Sequence, residues 1–254
     1  MAPSPTGRFH VGGIRTAFYN YAYARKNDGA FVLRIEDTDK ERNKEEYEKE
    51  IYEVFDWVGM DIDKIYRQSE HIERHQEVLN TLIEKGNAYE AEAAKDGSGK
   101  VIRFKNPNKD ITFHDEILGE ITVDTTDLGD FVIARNNESP LYHLAVVVDD
   151  HDEGITHVIR AQEHVANTPR QILLQEALGF ERPIYAHVPF ILGPDGKKKL
   201  SKRDANVAAL DYRDQGYLPE ALLNFLAFIG WNPGTEQELF SKDELITAFN
   251  LDQV

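Results

Sequence analysis

Cysteine is absent from the 254 residues, and methionine and tryptophan occur only twice each. Without cysteine there is neither a disulfide nor a thiolate metal centre, which suits a reducing compartment. Long apolar runs are missing too: none approaches the ~20 residues of a membrane span, and the first residues lack the charged-then-apolar order of a secretory signal. The expected setting is therefore the cytoplasm, away from membranes. Basic charge is scarce, with 29 Lys and Arg against 45 Asp and Glu, a net charge of −16. That balance excludes a uniformly basic nucleic-acid surface, so any such contact must rest on local patches. There is no internal repeat and no low-complexity linker. A chain of this length that is 41% hydrophobic can bury one composite core or two modest ones.

Two segments carry the chemistry. The first runs from Ala2 to Gly13, where Pro3, Pro5, Gly7, Gly12 and Gly13 suppress regular structure before the apolar spacing Ile14, Ala17, Phe18, Tyr21 opens an amphipathic helix. Backbone N–H groups and His10 then face the positive end of a helix dipole, an arrangement that seats phosphate. A turn that merely joins strand to helix, with a structural histidine, has the same look. The second segment follows the turn Gly193-Pro194-Asp195-Gly196. Lys197, Lys198, Lys199, Lys202 and Arg203 put five cations within seven residues of an acidic chain, a loop suited to polyphosphate or, more blandly, a solvated charge run.

Between them the chain alternates strand and helix patterns. Residues 31–35 read as a buried strand ending in Glu36-Asp37-Thr38-Asp39, acidic residues where open parallel sheets bind ligands or where the next helix is capped. Residues 40–58 and a stretch from Ser69 to about Gly86 read as amphipathic helices. Residues 87–141 change texture, with short strand patterns at 101–104, 111–113, 120–123 and 131–134, and read as an inserted subdomain. Leu144 to Val148 is a continuous apolar run expected to be a strand buried on both faces, ending at Asp149-Asp150-His151-Asp152, a turn or a divalent-metal site. A strand at 155–160 delivers Arg160 and then Glu163. A helix follows from Asn167-Thr168-Pro169 to a cap at Gly179, then a strand at 187–192, a helix from Pro219 to Ile229 and another from Ser241.

His10-Val11-Gly12-Gly13 and Lys199-Leu200-Ser201-Lys202 together resemble the paired signatures of class I aminoacyl-tRNA synthetases. Pro3-Ser4-Pro5-Thr6-Gly7, Arg34-Ile35-Glu36-Asp37-Thr38-Asp39 and Val148-Asp149-Asp150-His151 are similar to the glutamyl branch. The resemblance spans nearly the whole chain. It implies an α/β fold: a Rossmann-like parallel sheet whose halves are residues 1–86 and 142–198, an α+β acceptor-binding insertion at 87–141, and the lysine loop with the start of a helical stem-contact region at 199–254.

It also implies the site. His10, Gly12 and Gly13 would hold ATP with Glu163 and Ser201 near the nucleotide, and Lys199 and Lys202 would stabilise departing pyrophosphate. Glu36 would face the α-ammonium of L-glutamate, Arg160 a carboxylate, Tyr142 the body of the substrate, and Ser4 would add hydrogen bonds. Mg²⁺ would travel with ATP rather than occupy a protein cage. Many relatives carry a zinc cluster near the start of the insertion, but Tyr89-Glu90-Ala91-Glu92 has no cysteine there, so no zinc is expected. The expected partners are L-glutamate and the acceptor end of tRNA, with the chain acting as a monomer. The resemblance further implies a strand before Pro3 carrying an arginine for the substrate side chain, where this sequence has Met1 and Ala2, and a helical anticodon-binding portion beyond residue 254. Two other readings stay open: a truncated paralogue that glutamylates a queuosine-type tRNA base, and a binding module that docks ATP or tRNA without turnover.

Overall fold

The helix expected to open at Ile14 forms as α1 (Val11–Lys26), starting three residues earlier so that Gly12 and Gly13 lie in its first turn. The computed structural model describes residues 1–93, 99–193 and 208–254. Within them α1 is followed by β1 (Val32–Ile35), α2 (Glu45–Trp57), β2 (Lys64–Arg67), α3 (Ile72–Glu84), β3 (Ala88–Glu92), β4 (Lys100–Phe104), β5 (Asp110–Asp115), β6 (Gly119–Asp124) and β7 (Phe131–Ala134). Then come α4 (Tyr142–Asp152), β8 (His157–Ala161), α5 (Thr168–Leu178), β9 (Ile184–Val188), α6 (Ala209–Asp214), α7 (Pro219–Ala227) and α8 (Lys242–Ala248). These elements belong to two units, one made of Met1–Arg67, Ile159–Glu163 and Ala186–Val254, the other of Gln68–Val158 and His164–Tyr185.

In the first unit β1 and β2 pair in parallel, Val32 opposite Lys64 and Ile35 opposite Arg67, with α2 as the crossover. The other edge of β1 holds the start of the chain. The Met1 amino group donates to Val32 O at 2.8 Å, and the N–H groups of Arg34 and Glu36 donate to Met1 O and Pro3 O, each at 3.0 Å. This is a parallel ladder, because Met1 bonds to both Val32 and Arg34, the residues on either side of its partner, and Pro3 continues in the same direction to Glu36.

α1 is more enclosed than a one-sided amphipathic pattern implies. Ile14, Ala17, Phe18 and Ala22 are buried on one side, and Arg15 and Tyr19 are buried as well. Both α7 and α8 pack on it, with the Tyr19 and Phe249 rings 4.9 Å apart. α7 starts with Pro219 at its first turn, and α8 begins with a capping box: Ser241 Oγ accepts from Glu244 N–H while the Glu244 carboxylate accepts from Ser241 N–H.

The second unit packs α3, α4 and α5 with a β3-β4-β7 antiparallel sheet and the β5–β6 hairpin around one apolar cluster that includes Leu79, Leu82, Ile133, Leu144, Val148, Ile172 and Leu174. The hairpin alternates, with Ile111, Phe113 and Asp115 inward. At its turn the Asp115 carboxylate accepts from Ile117 and Leu118 N–H. The four strand patterns read in the insertion are β4 to β7, and β3 adds a fifth.

The stretch Leu144 to Val148 is helix, not strand: α4 holds it, and all five residues are buried. A helix covered on every side shows no 3.6-residue alternation, so an apolar β-branched run of this length fits a buried strand equally well. The last strand also differs from expectation. β9 is Ile184–Val188, and residues 189–192 lie beyond it. Strands β8 and β9 are neighbours in the sheet order β6-β5-β9-β8.

Candidate active site

The site is built at the start of α1. His10 has extended backbone angles (φ −109°, ψ 162°) and caps the helix through its ring, Nδ1 accepting from Gly12 N–H at 3.1 Å. With Nδ1 as acceptor, the neutral ring carries its proton on Nε2 and presents a donor on that side. The first turn of α1 contains no acidic side chain, while Arg25 and Lys26 sit in the last turn. No acidic side chain in the helix's own first turn offsets the positive end of its dipole, which favours an anion there.

A side chain at either glycine would press on a neighbouring ring, and the two rings differ in how freely they can move. A Cβ on Gly12 would lie 2.9 Å from His10 Cε1, and one on Gly13 would lie 2.7 Å from Phe9 Cζ. Phe9 is buried and packs 5.9 Å from the Phe55 ring. The backbone before the helix is fixed by an isolated bridge from His10 to Ala208 and by Ala209 N–H donating to Phe9 O at 2.8 Å.

A hydrogen-bonded chain then runs from the glycines to β8. Thr16 Oγ1 donates to Gly12 O at 3.0 Å, and Asn20 Nδ2 donates both to Thr16 O at 2.7 Å and to Ile159 O at 2.8 Å. The next residue is Arg160, whose Nε donates to His187 Nε2 at 3.0 Å. Ser4 and Glu36 are brought together by the parallel ladder, since Glu36 N–H bonds to Pro3 O. Both stand at the C-terminal ends of adjacent extended segments, the position at which open α/β sheets bind ligands. Glu36 is buried, and its carboxylate lies 3.5 Å from the buried guanidinium of Arg34. Further along the same acidic run, Asp37 accepts from Arg67 at 3.0 Å, and Arg67 also pairs with Glu48.

Of the residues singled out in the sequence, Ser4, His10, Gly12, Gly13, Glu36, Arg160 and Glu163 belong to the first unit, Glu163 in a short 3-10 turn at Gln162–Asn167. Tyr142 opens α4 in the second unit, with its hydroxyl 3.4 Å from His164 Nδ1. Lys199, Ser201 and Lys202 lie outside the described residues. Tyr89 and Glu90 are in β3, where Tyr89 donates to Asp130 at 2.7 Å and Glu90 pairs with Lys100.

Three groups went unnoticed in the sequence. Arg15 is 2% exposed and clamps two carbonyls, Ile229 O at 2.9 Å and Pro189 O at 2.5 Å. Burial lowers its pKa and raises that of Tyr19, whose hydroxyl donates to Ala227 O. In the second unit the Asp149 carboxylate, read as a turn or metal ligand, accepts from Gln68 at 2.7 Å and meets His75 Nε2 at 2.5 Å, all three buried. Its neighbour Asp152 pairs with Arg74 at 2.8 Å. His75 lies on the same helical face as Val78, Leu79 and Leu82, which is the one sequence signal that could have marked it as buried. His187 follows an apolar strand pattern with nothing in its neighbours to single it out.

The family model described as tRNA synthetases class I (E and Q), catalytic domain, matches residues 1–98 and 91–254. A glutamate–tRNA ligase of Aquifex aeolicus (strain VF5) is 48% identical over the whole chain, which covers 62% of that protein. The same enzyme name belongs to a Carboxydothermus hydrogenoformans relative, 42% identical with the same coverage. Among solved structures, a glutamate tRNA ligase from Elizabethkingia meningosepticum CCUG26117, crystallised in complex with its amino acid, superposes with a TM-score of 0.94 at 34% identity, over 100% of this chain and 64% of that one. A putative arginyl-tRNA synthetase from Campylobacter jejuni shares the fold at a TM-score of 0.59 and 17% identity. The chain thus spans about three fifths of the length of the relatives it matches.

Proposed function

The chain belongs to the catalytic-domain family of class I tRNA synthetases for glutamate and glutamine, and from that membership we propose that it activates L-glutamate with ATP and passes the acyl group to the 3′-terminal adenosine of tRNA(Glu). The observation that carries the reading is the hydrogen-bonded chain from Gly12 through Thr16 and Asn20 to Ile159. It ties β8, the strand that carries the cation Arg160, to the helix whose N-terminus His10 caps.

Adenylate formation joins a carboxylate oxygen to the α-phosphorus of ATP and releases pyrophosphate. Both reactants are anions, so the protein's task is to hold them together and to supply positive potential where charge builds. The α1 N–H groups at Gly12 and Gly13 and the Nε2 side of His10 receive phosphate. Lys199 and Lys202 neutralise the leaving pyrophosphate, and Glu163 and Ser201 adjoin the nucleotide. Mg²⁺ enters with ATP.

Glutamate brings two carboxylates and one ammonium, which require cations and an acid respectively. Arg160 takes a carboxylate, Glu36 the ammonium, Ser4 adds hydrogen bonds and Tyr142 covers the substrate body. Residues 87–141 hold the acceptor end, between catalytic halves at 1–86 and 142–198, and residues 199–254 begin the stem-contact region. The chain acts as a cytoplasmic monomer. Among the described residues no helix is long and apolar enough to cross a membrane, which is compatible with that setting.

Glutamate-dependent ATP–pyrophosphate exchange, with and without whole tRNA and with glutamine and aspartate as controls, tests the proposal. Exchange with glutamate only when tRNA is present is the expected result. Exchange without tRNA would indicate the base-modifying paralogue, and no exchange from folded protein would indicate a binding module.

A further inference from the structure

Arg160 and His187 stand one residue before the ends of β8 and β9, neighbouring strands of one sheet. Arg160 Nε donates to His187 Nε2 at 3.0 Å, and His187 has no exposed surface. A guanidinium is always a donor, so the ring nitrogen facing it must be the acceptor, and the imidazole must be neutral with its proton on Nδ1. The guanidinium is planar, so fixing Nε on a buried, immobile ring fixes the plane in which the remaining N–H donors lie. Two-pronged binding of a carboxylate depends on that plane.

We propose that His187 is a positioning residue for Arg160, its Nε2 lone pair setting the guanidinium plane to which the substrate carboxylate binds. This rests on the reading of Arg160 as the carboxylate ligand. The backbone of β8 is already tied to α1 through Asn20 and Ile159 O, but that bond places the strand and does not by itself set the torsions of the long arginine side chain. His187 supplies the second constraint. Leucine at this position would fill similar space and remove the acceptor, while glutamine would offer a carbonyl oxygen near the place of Nε2.

The test measures L-glutamate and ATP binding by titration calorimetry on the full chain and on His187→Leu, His187→Gln, Arg160→Ala and the double variant Arg160→Ala/His187→Leu. His187→Leu is expected to weaken L-glutamate about tenfold while ATP affinity stays within about twofold, as for loss of one charge-assisted hydrogen bond. His187→Gln should recover most of the loss. The double variant should bind no more weakly than Arg160→Ala, because His187 acts only through that arginine. If Arg160→Ala binds L-glutamate like the wild type, or the wild type binds none, the reading of Arg160 fails and the inference falls with it. If Arg160→Ala loses binding but His187→Leu does not, the positioning role alone is wrong. Should His187→Leu not fold, long-range proton–nitrogen-15 NMR of wild-type histidines, with His187 assigned by the His187→Gln variant, decides the contact. A neutral ring protonated on Nδ1 at pH 7.5 is expected, and a proton on Nε2 would overturn it.

Discussion

Replacing Gly12 and Gly13 separately by alanine makes the same chemical change at adjacent positions of one helix turn, with opposite expected consequences. Alanine is intrinsically better in a helix interior by up to about 1 kcal/mol. At Gly13 the new methyl would sit 2.7 Å from Phe9 Cζ and 3.0 and 3.1 Å from two other atoms of that ring. The ring is 7% exposed and seated against Phe55, so it cannot swing away cheaply. Overpacking of this kind costs about 1–3 kcal/mol, so with a helix gain of about 1 kcal/mol Gly13→Ala is about 0–2 kcal/mol less stable, toward the upper end because the ring is held. At Gly12 the methyl crowds the His10 ring, at 2.9 and 3.0 Å, and meets Ile191 Cδ1 at an ordinary 3.7 Å, and the His10 ring can rotate out. The loss is then one N-cap bond, about 1 kcal/mol, roughly cancelled by the helix gain. Urea unfolding should therefore place Gly12→Ala within about 0.5 kcal/mol of wild type and Gly13→Ala clearly below it. Exchange activity should separate the other way: displacing His10 from its cap should slow Gly12→Ala by about 10- to 1,000-fold, the range seen for removal of a single charge-stabilising donor. A Gly13→Ala protein as stable as the wild type, or a Gly12→Ala protein with full activity, would refute the packing argument and the assignment of His10 respectively.

His10→Ala and Lys202→Ala should each slow pyrophosphate exchange by about 10- to 1,000-fold with the fold kept, since each removes charge stabilisation rather than core, His10→Ala losing in addition only the roughly 1 kcal/mol of its N-cap bond; unchanged rates would remove that residue from the mechanism. Asp149→Ala should cost about 3–5 kcal/mol in urea unfolding, because it strands buried His75 and Gln68, whereas Asp149→Asn should cost less, its amide still pairing with one partner; equal losses from the two variants would argue against the network. Asp63, which accepts from Arg25 and from Phe31 N–H, is held below the usual carboxylate range by the Arg25 hydrogen bond. Its stabilising effect is present above the unfolded carboxylate pKa of about 4 and is lost as pH falls through the lower folded value. The pair is partly exposed, so Asp63→Asn should cost under about 1 kcal/mol at pH 7, and the gap from wild type should close in acid unfolding below about pH 4.

Local chemistry was legible wherever it is written in a few consecutive residues. The start of α1 near the glycine pair, the proline and glycine ends of α5, the start of α8 at Ser241 and the short strands of the insertion follow from backbone and side-chain preferences that act over one or two turns. The buried run in α4 was not legible, because a segment enclosed on all sides loses the periodicity that separates helix from strand. The N-terminal segment along β1 escaped notice for a related reason: two prolines mask an extended conformation that is fixed by bonds to residues some thirty positions away.

The site divides in the same way. That His10 faces the start of a helix beside two glycines, and that Glu36 ends a strand, belongs to the sequence by itself, since each depends on neighbours a few residues off. What faces Arg160, what Asp149 is for, and why Arg15 can be buried were decided only by the tertiary structure. A long charged side chain reads as solvated until some other part of the chain brings an acceptor to it, and those acceptors, His187 for Arg160 and the carbonyls of Pro189 and Ile229 for Arg15, arrive from strands and turns far along the sequence.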